Sequence, residues 1–212
     1  MPSVRRRSRE TTEAKRAERL LADRGMMRLR EFTAAGIAAE TLARLVRRGR
    51  VVRAARGLYQ RADARPGAAH TMAEAAKIVP NGVVCLVSAL QFHGLTTQVP
   101  SRVWMAIRRS SWTPTATWPP MRFVYFGKRA FDIGIEAHEI ERVPVRVYGV
   151  AKTVVDCFRY RNKIGIDVAL EALREALARG MSSPNEIWKL AAALRVLGVV
   201  RPYLEAVAAN GA

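Results

Sequence analysis

Three scarcities in the 212-residue chain narrow the classes of protein to which it can belong. No apolar run reaches the roughly 18 residues that a membrane-spanning helix needs, and the N-terminal residues lack the apolar core of a secretory signal peptide. The two cysteines, Cys85 and Cys157, lie in apolar stretches and have no neighbour at CxxC spacing. We therefore expect buried, reduced thiols in a cytoplasmic protein, although a disulfide between them stays open.

Acidic residues are the third scarcity, since 18 Asp and Glu stand against 36 Lys and Arg and leave a net charge of +18. Residues 1–61 hold 17 of the basic residues and 6 of the acidic ones. Within them, residues 44–61 contain seven arginines and no acid. The expected partner is a polyanion, with nucleic acid first and an anionic membrane surface as the competitor. Half of the residues are hydrophobic, which predicts a folded rather than a disordered chain.

Apolar periodicity predicts three helices before residue 50. The first follows a basic tail, with Thr11 or Thr12 as its cap and Gly25 as its end. The second covers 26–36, and the third covers 37–48. Glycines separate the three segments, and this helix–Gly–helix spacing is typical of a helix-turn-helix.

The third helix divides into two faces at 100° per residue. One side is apolar and carries Leu42, Leu45 and Val46. The opposite side carries Arg44, Arg47 and Arg48, with Glu40 and Thr41 beside them. Two short alternating runs follow, and they predict a basic β-hairpin. Three helices and a basic hairpin together predict a winged helix-turn-helix.

In that fold, the arginine face would bind DNA. We expect base-edge contacts from Arg44, Arg47 and Arg48, with Glu40 and Thr41 as further partners. We expect the wing to contact phosphates or a minor groove through Arg50, Arg53 and Arg56. The competing interpretation is that these arginines form a basic face that is exposed to solvent and binds no DNA.

The rest of the chain predicts a second, mixed domain. Residues 61–70 are rich in Ala, Pro and Gly and form the best candidate linker, which gives domains at 1–62 and 70–212. Alternating segments predict about four strands, near 102–109, 121–127, 135–141 and 143–149. Helical patterns precede these strands and dominate the C-terminus. The predicted fold class is therefore α+β, with an N-terminal winged helix-turn-helix, an α/β domain of about four strands and a helical C-terminus.

Signals for catalysis are few. No phosphate-binding glycine motif is present, and no histidine has a carboxylate at metal-ligand spacing, so neither cofactor nor metal is predicted. A nuclease would need clustered carboxylates with a nearby lysine. The candidates, which lack that lysine, are Asp132, Glu136, Glu139 and Glu141. His93 precedes Gly94, where we expect it to bond the last carbonyls of a helix.

Asp156 lies among apolar residues on a predicted helix. A buried carboxylate without partners costs several kcal/mol. We expect the partners to be Thr153, Arg159 or Arg161, and we interpret Asp156 as a structural hub in preference to a directly functional group.

Three segments resemble the AbiEi family, the antitoxins of bacterial type IV toxin–antitoxin systems of the abortive-infection kind. Residues 147–177 look like the family's signature segment, and residues 87–96, with the sequence VSALQFHGLT, are similar to its Ser-Ala-Leu…His-Gly-Leu segment. Residues 47–60 resemble the end of its N-terminal winged helix-turn-helix. The segments come in the family's order.

The resemblance implies a non-enzymatic protein that binds double-stranded DNA at inverted repeats in its own promoter and represses the operon. It also implies that the C-terminal part counteracts a nucleotidyltransferase toxin without a stable complex. The residues that match the C-terminal motif are Lys152, Thr153, Asp156 and Arg161. Two alternatives stay open, namely a nuclease-like enzyme with a DNA-binding N-terminal domain and a plain ligand-sensing transcription factor.

Overall fold

A computed structural model describes residues 2–111 and 113–209, with the side chains of 12–111 and 113–207. The chain divides into two compact units. Unit 1 contains the residues up to Pro80 together with Pro114–Pro119 and Glu139–Val145. Unit 2 contains Asn81–Thr113, Pro120–His138 and the residues from Arg146 onward. The domain bounds expected from the sequence stay a prediction.

Unit 1 has the element order of a winged helix-turn-helix. Its elements are α1 (Pro2–Arg24), β1 (Met26–Arg28), α2 (Leu29–Ala34), α3 (Ala39–Arg47), β2 (Val51–Ala55), β3 (Leu58–Arg61) and α4 (His70–Ile78). The three strands form an antiparallel sheet in the order β1-β3-β2. The predicted hairpin is thus confirmed, with β1 as an added strand. The second predicted helix starts three residues late, because Met26–Arg28 pairs with β3 instead.

The helices of unit 1 close on one apolar cluster. Phe32 of α2 is fully buried, and Leu42 and Leu45 are the buried residues of the apolar face of α3. Helix α1 contributes Ala17 and Leu21 to the same cluster. Its range places Thr11 and Thr12 inside the helix, so the prediction that either residue caps it is wrong. Gly25 ends α1 in the left-handed region, as predicted.

Unit 2 is built on a five-stranded sheet. Its strands are β4 (Val83–Val84), β5 (Val103–Arg108), β6 (Met121–Phe126), β7 (Ile135–Ile140) and β8 (Val143–Tyr148), in the order β6-β5-β4-β8-β7. Residues 139–145 of β7 and β8 belong to unit 1. The four predicted strands are confirmed as β5 to β8. The short central strand β4 was not predicted, because residues 82–95 have the apolar pattern of one continuous helix.

Helices of unit 2 supply most of its core. They are α5 (Leu86–His93), α6 (Lys128–Asp132), α7 (Val150–Arg159), α8 (Arg161–Ile164), α9 (Ile166–Ala178), α10 (Pro184–Ala193) and α11 (Leu197–Ala209). Helix α7 is central, since every residue from Ala151 to Phe158 is buried. Ser183 caps α10 by accepting a hydrogen bond from the Glu186 amide at 3.2 Å, as its sequence predicts.

Cys85 and Cys157 are both buried free thiols, and burial raises their pKa values well above the usual range. They are therefore unreactive thiols of the core. Within the part of the chain that the structure describes, no helix combines the length and the apolarity needed to cross a membrane.

Candidate nucleic-acid interface

Helix α3 presents the expected arginine surface. Its buried residues include Leu42 and Leu45, while Arg47 and the C-cap residue Arg48 are exposed. Glu40, in the first turn, is exposed as well. The helix is anchored by the apolar face and leaves these charges in solvent. Exposed guanidinium groups at this position are able to meet phosphates or guanine edges.

Thr41 and Arg44 lie at the flank of that surface. Thr41 is only 3% exposed, and its hydroxyl donates a hydrogen bond to Glu13 Oε2 of α1 at 3.1 Å. Arg44 is half-buried, and its Nη2 donates to Thr41 Oγ1 at 3.5 Å. The chain Glu13–Thr41–Arg44 fixes the direction in which the Arg44 side chain leaves the helix. Glu13, the acidic residue of α1 that bonds Thr41, was not predicted from the sequence.

The wing carries the remaining predicted arginines. Arg53 lies on β2 opposite Tyr59, and Arg56 precedes the turn glycine Gly57; both arginines are exposed. Arg50 begins the wing and is exposed too, but its Nη2 contacts Glu18 of α1 at 3.1 Å. A surface pair of this kind contributes only about 0–1 kcal/mol, so a phosphate could displace the carboxylate. We call the exposed set Arg47, Arg48, Arg50, Arg53 and Arg56 the unit 1 arginine surface.

The residues of the C-terminal motif occupy a different environment. Lys152, Thr153 and Asp156 are all buried, at 1%, 0% and 0% exposure. Lys152 Nζ forms an ion pair with Asp156 Oδ2 one helical turn away. The same ammonium lies 4.1 Å from the ring centroid of Tyr148 and 4.7 Å from that of Phe126. Inside the core, the two rings and the carboxylate replace the water molecules that would otherwise solvate this ammonium group.

The predicted partners of Asp156 do not hydrogen-bond it, and of the three only Arg159 acts on its carboxyl, as a charge that lowers its pKa against the effect of burial. The hydroxyl of Thr153 donates to the Tyr148 carbonyl at 3.0 Å, and Nη1 of Arg161 donates to the Phe158 carbonyl at 3.1 Å. Arg159 is exposed. The pair with Lys152 was not predicted, although its i, i+4 spacing on one helix is visible in the sequence.

Burial dominates the protonation of this pair. It raises the pKa of Asp156 to about 6, against the lowering effect of Lys152, and it lowers the pKa of Lys152. Asp156 Oδ1 has no hydrogen-bond partner among the described residues. Both partners lie on α7, and the pair does not face solvent.

The carboxylates considered for a nuclease are dispersed by the fold. Asp132 pairs with Arg108 at 2.6 Å, Glu136 with His138 at 3.0 Å and Glu141 with His70 at 2.7 Å. Glu139 is exposed. Among the residues that the structure describes, no three His, Cys, Asp or Glu side chains are grouped to hold a metal ion.

The histidines serve local contacts. Nε2 of His93 lies 2.8 Å from the carbonyl oxygen of Tyr148, at the end of β8. The prediction that this imidazole bonds the last carbonyls of its own helix is therefore wrong. His70 lies 3.7 Å from Glu74 at i, i+4 spacing, in addition to its contact with Glu141. This histidine–carboxylate pairing was missed, although the spacing on α4 is visible in the sequence.

The segment that carries the arginine surface matches a known protein family. Residues 15–62 match the family described as "Transcriptional regulator, AbiEi antitoxin". This segment is of the AbiEi type. The resemblance of residues 47–60 is thereby confirmed, whereas the two C-terminal resemblances lie outside the matched residues and stay predictions. The family that this segment matches is described as one of transcriptional regulators.

The whole fold has a solved counterpart. The crystal structure of the RV2827C protein from Mycobacterium tuberculosis superposes with a TM-score of 0.59 at 15% identity, covering 93% of this chain and 81% of that chain. At this identity the likeness establishes the fold. No curated protein matches the chain significantly in sequence.

Proposed function

We propose that the chain is the antitoxin of a type IV toxin–antitoxin system in the bacterial cytoplasm. It binds inverted repeats in its own promoter, represses the operon and counteracts a nucleotidyltransferase toxin without a stable complex. It carries out no catalytic step, needs no cofactor and serves in phage defence. The observation that supports this most is the exposed arginine surface on α3 and the wing (β2 and β3) of an AbiEi-type segment.

The arginines divide into two roles in this proposal. Arg47 and Arg48 at the C-terminal end of α3, together with Arg44, reach base edges or the flanking phosphates, and Glu40 contacts cytosine. Arg50, Arg53 and Arg56 of the wing bind phosphates. Thr41 acts indirectly, since its hydroxyl is engaged with Glu13 and orients Arg44.

The C-terminal motif has a supporting role. Lys152, Thr153 and Asp156 are enclosed in the core, so they stabilise unit 2 and do not contact the toxin or its substrate. Arg161 is half-buried and ties α8 to the end of α7 through the Phe158 carbonyl. We therefore assign the counteracting of the toxin to exposed residues of unit 2, whose core these buried side chains stabilise.

Removing two arginines tests the DNA contact. We expect Arg47→Ala/Arg48→Ala to weaken binding to a duplex that carries the promoter repeats by about 100-fold, because two contacts worth about 1–3 kcal/mol each are lost. The slope of log affinity against log salt should fall by about two, because two phosphate-neutralising charges are removed. Fluorescence anisotropy across a salt series measures both quantities.

The matched control is Arg174→Ala/Lys189→Ala, which removes two exposed charges from α9 and α10. It should bind the promoter duplex as the unaltered chain does. Equal weakening by both double variants would mean that total charge, and not the arginine surface, governs binding.

A growth assay tests the antitoxin role separately. Expressed from an unrelated promoter beside the neighbouring nucleotidyltransferase, the Arg47→Ala/Arg48→Ala chain should still rescue growth while failing to repress a reporter under its own promoter. A plain transcription factor would not rescue growth in this arrangement.

A further inference from the structure

A second cationic surface lies in unit 2, around Tyr160. This tyrosine is half-buried, and its ring packs at 75° on Phe126 at the end of β6, with 5.6 Å between centroids. Lys163 Nζ lies 5.7 Å from the centroid of the Tyr160 ring. Burial raises the pKa of the Tyr160 hydroxyl, and the positive charges of Arg159 and Arg109 oppose that rise. Lys163 therefore lies over the Tyr160 ring, and Arg159, its neighbour in the chain, and Arg109 add positive charge near it.

The strand ends add further charge at the same place. The Arg109 amide donates to the Phe126 carbonyl at 2.9 Å, which joins the carboxyl ends of the parallel strands β5 and β6. Lys128 and Arg129 follow Phe126 in the chain, and both are exposed. The carboxyl ends of adjacent parallel strands are a common position for ligand sites in open sheets.

The segment that supplies Arg109, Lys128 and Arg129 has no acidic residue of its own. Residues 75–131 contain seven Lys or Arg and no Asp or Glu. The next acidic residue, Asp132, is paired with Arg108 at 2.6 Å. Arg109, Arg159 and Lys163 are exposed, and none of them has an ion-pair partner among the described residues. Their charge is available to an external anion.

We propose that Tyr160, with Arg109, Arg159, Lys163, Lys128 and Arg129, forms a binding surface for an unpaired nucleic-acid strand. The cations neutralise successive phosphates, and the Tyr160 ring stacks on one base. Proteins that bind single strands combine a basic track with such stacking rings. This surface is separate in residues from the unit 1 arginine surface, and it does not depend on the proposed role in repression.

The aromatic ring is what favours an unpaired strand over a duplex. Bases in a duplex are stacked on their neighbours, so their faces are closed to a protein side chain, whereas an unpaired base presents its face. A purely phosphate-binding surface would need no half-exposed tyrosine at its centre.

The test uses the full chain carrying Arg47→Ala/Arg48→Ala, so that the unit 1 arginine surface contributes little. Labelled oligouridylate and oligodeoxythymidylate of about 12 nucleotides, within the usual site size of such surfaces, are compared with a duplex of equal length by fluorescence anisotropy. We expect the unpaired strands to bind at least about tenfold more tightly than the duplex, since stacking contributes about 1–3 kcal/mol per base. Preference for the ribo-oligomer would identify RNA as the ligand, and preference for the deoxy-oligomer would identify single-stranded DNA.

Substitutions separate charge from stacking. Arg109→Ala/Lys163→Ala should lower the affinity for the unpaired strand about tenfold and reduce its salt slope by about 1.4, whereas Arg174→Ala/Lys189→Ala should change neither. Tyr160→Phe keeps the ring and should bind normally, while Tyr160→Leu should bind about tenfold more weakly. Duplex binding as tight as strand binding, equal loss in the two charge variants, or equal binding by the Phe and Leu variants would overturn the proposal. The charge variants alter only exposed side chains, so they decide the case even if Tyr160→Leu does not fold.

Discussion

Asp156→Ala should lower the free energy of unfolding by about 3–5 kcal/mol, because it leaves the ammonium of Lys152 buried without a counter-charge. The rings of Tyr148 and Phe126 remain around the ammonium, but they replace only a part of the lost attraction. Urea denaturation followed by circular dichroism measures the change.

The two single variants of this pair should depend on pH in opposite directions. In Lys152→Met, Asp156 remains with a pKa raised above its ordinary 3.8 by burial, and the lowering effect of Lys152 is gone. A raised carboxyl pKa contributes stability at low pH that is lost as pH rises through the folded value, so this variant is more stable at pH near 5 than near 8. In Asp156→Ala, burial lowers the pKa of Lys152. The contribution of Lys152 to stability is therefore present at high pH, and it is lost as pH falls through the pKa of Lys152 in the folded state.

The double variant Lys152→Met/Asp156→Leu is the control for this interpretation. With neither charge present, it should recover most of the stability that either single variant loses, and the opposite pH trends should disappear. A double variant as unstable as Asp156→Ala would show that shape, and not charge, determines the cost at this position.

Gly25→Ala should lower the free energy of unfolding by about 3 kcal/mol, for two reasons that add. The residue has φ +65°, where a side chain costs about 1 kcal/mol. A Cβ atom there would also stand 1.9 Å from the backbone carbonyl oxygen of Glu141, and a backbone group cannot rotate away as a flexible side chain does. Relieving such overpacking typically costs about 1–3 kcal/mol more. Thermal and urea unfolding of the full chain measure the loss.

Gly49→Ala provides a close match for this variant. Gly49 follows α3 as Gly25 follows α1, and its φ of +64° is nearly the same, but no heavy atom lies within 4 Å of its Cβ position. It should cost only about 1 kcal/mol. If the two alanine variants were equally destabilised, the close approach of Glu141 would contribute nothing to stability.

The arginine face of α3 was predictable from periodicity, whereas the position of Thr41 was not. Angular spacing places Thr41 beside the arginines. In the fold, α1 covers that flank and contributes Glu13, so the threonine is buried. A helical projection identifies the side that packs, but it does not show how far a neighbouring helix extends around it.

Short strands were the main omissions of the sequence analysis. β1 has three residues and β4 has two, and neither is long enough to display a period of two. Val83 and Val84 become a strand because β5 and β8 lie on either side of them. The longer strands β5 to β8 were predicted because their six residues each carry their own pattern.

The surface around Tyr160 was missed for a different reason. The run from Arg159 to Lys163 is visibly basic, but Arg109 lies 50 residues earlier in the chain. The two regions meet because Tyr160 packs on Phe126, which lies beside Arg109 in the paired strands. Contacts between distant segments of this kind depend on strand order, which composition does not encode.

The brevity of β4 has a consequence for the order in which unit 2 assembles. Val84 is paired with Val147 across a separation of 63 residues, and no second residue pair is in register between these two strands. Closing so long a loop costs entropy that a single pair of valines does not repay. We therefore expect this strand pair to form no earlier than the contact of α5 with α7, which closes a loop of similar length but buries several apolar side chains in one cluster.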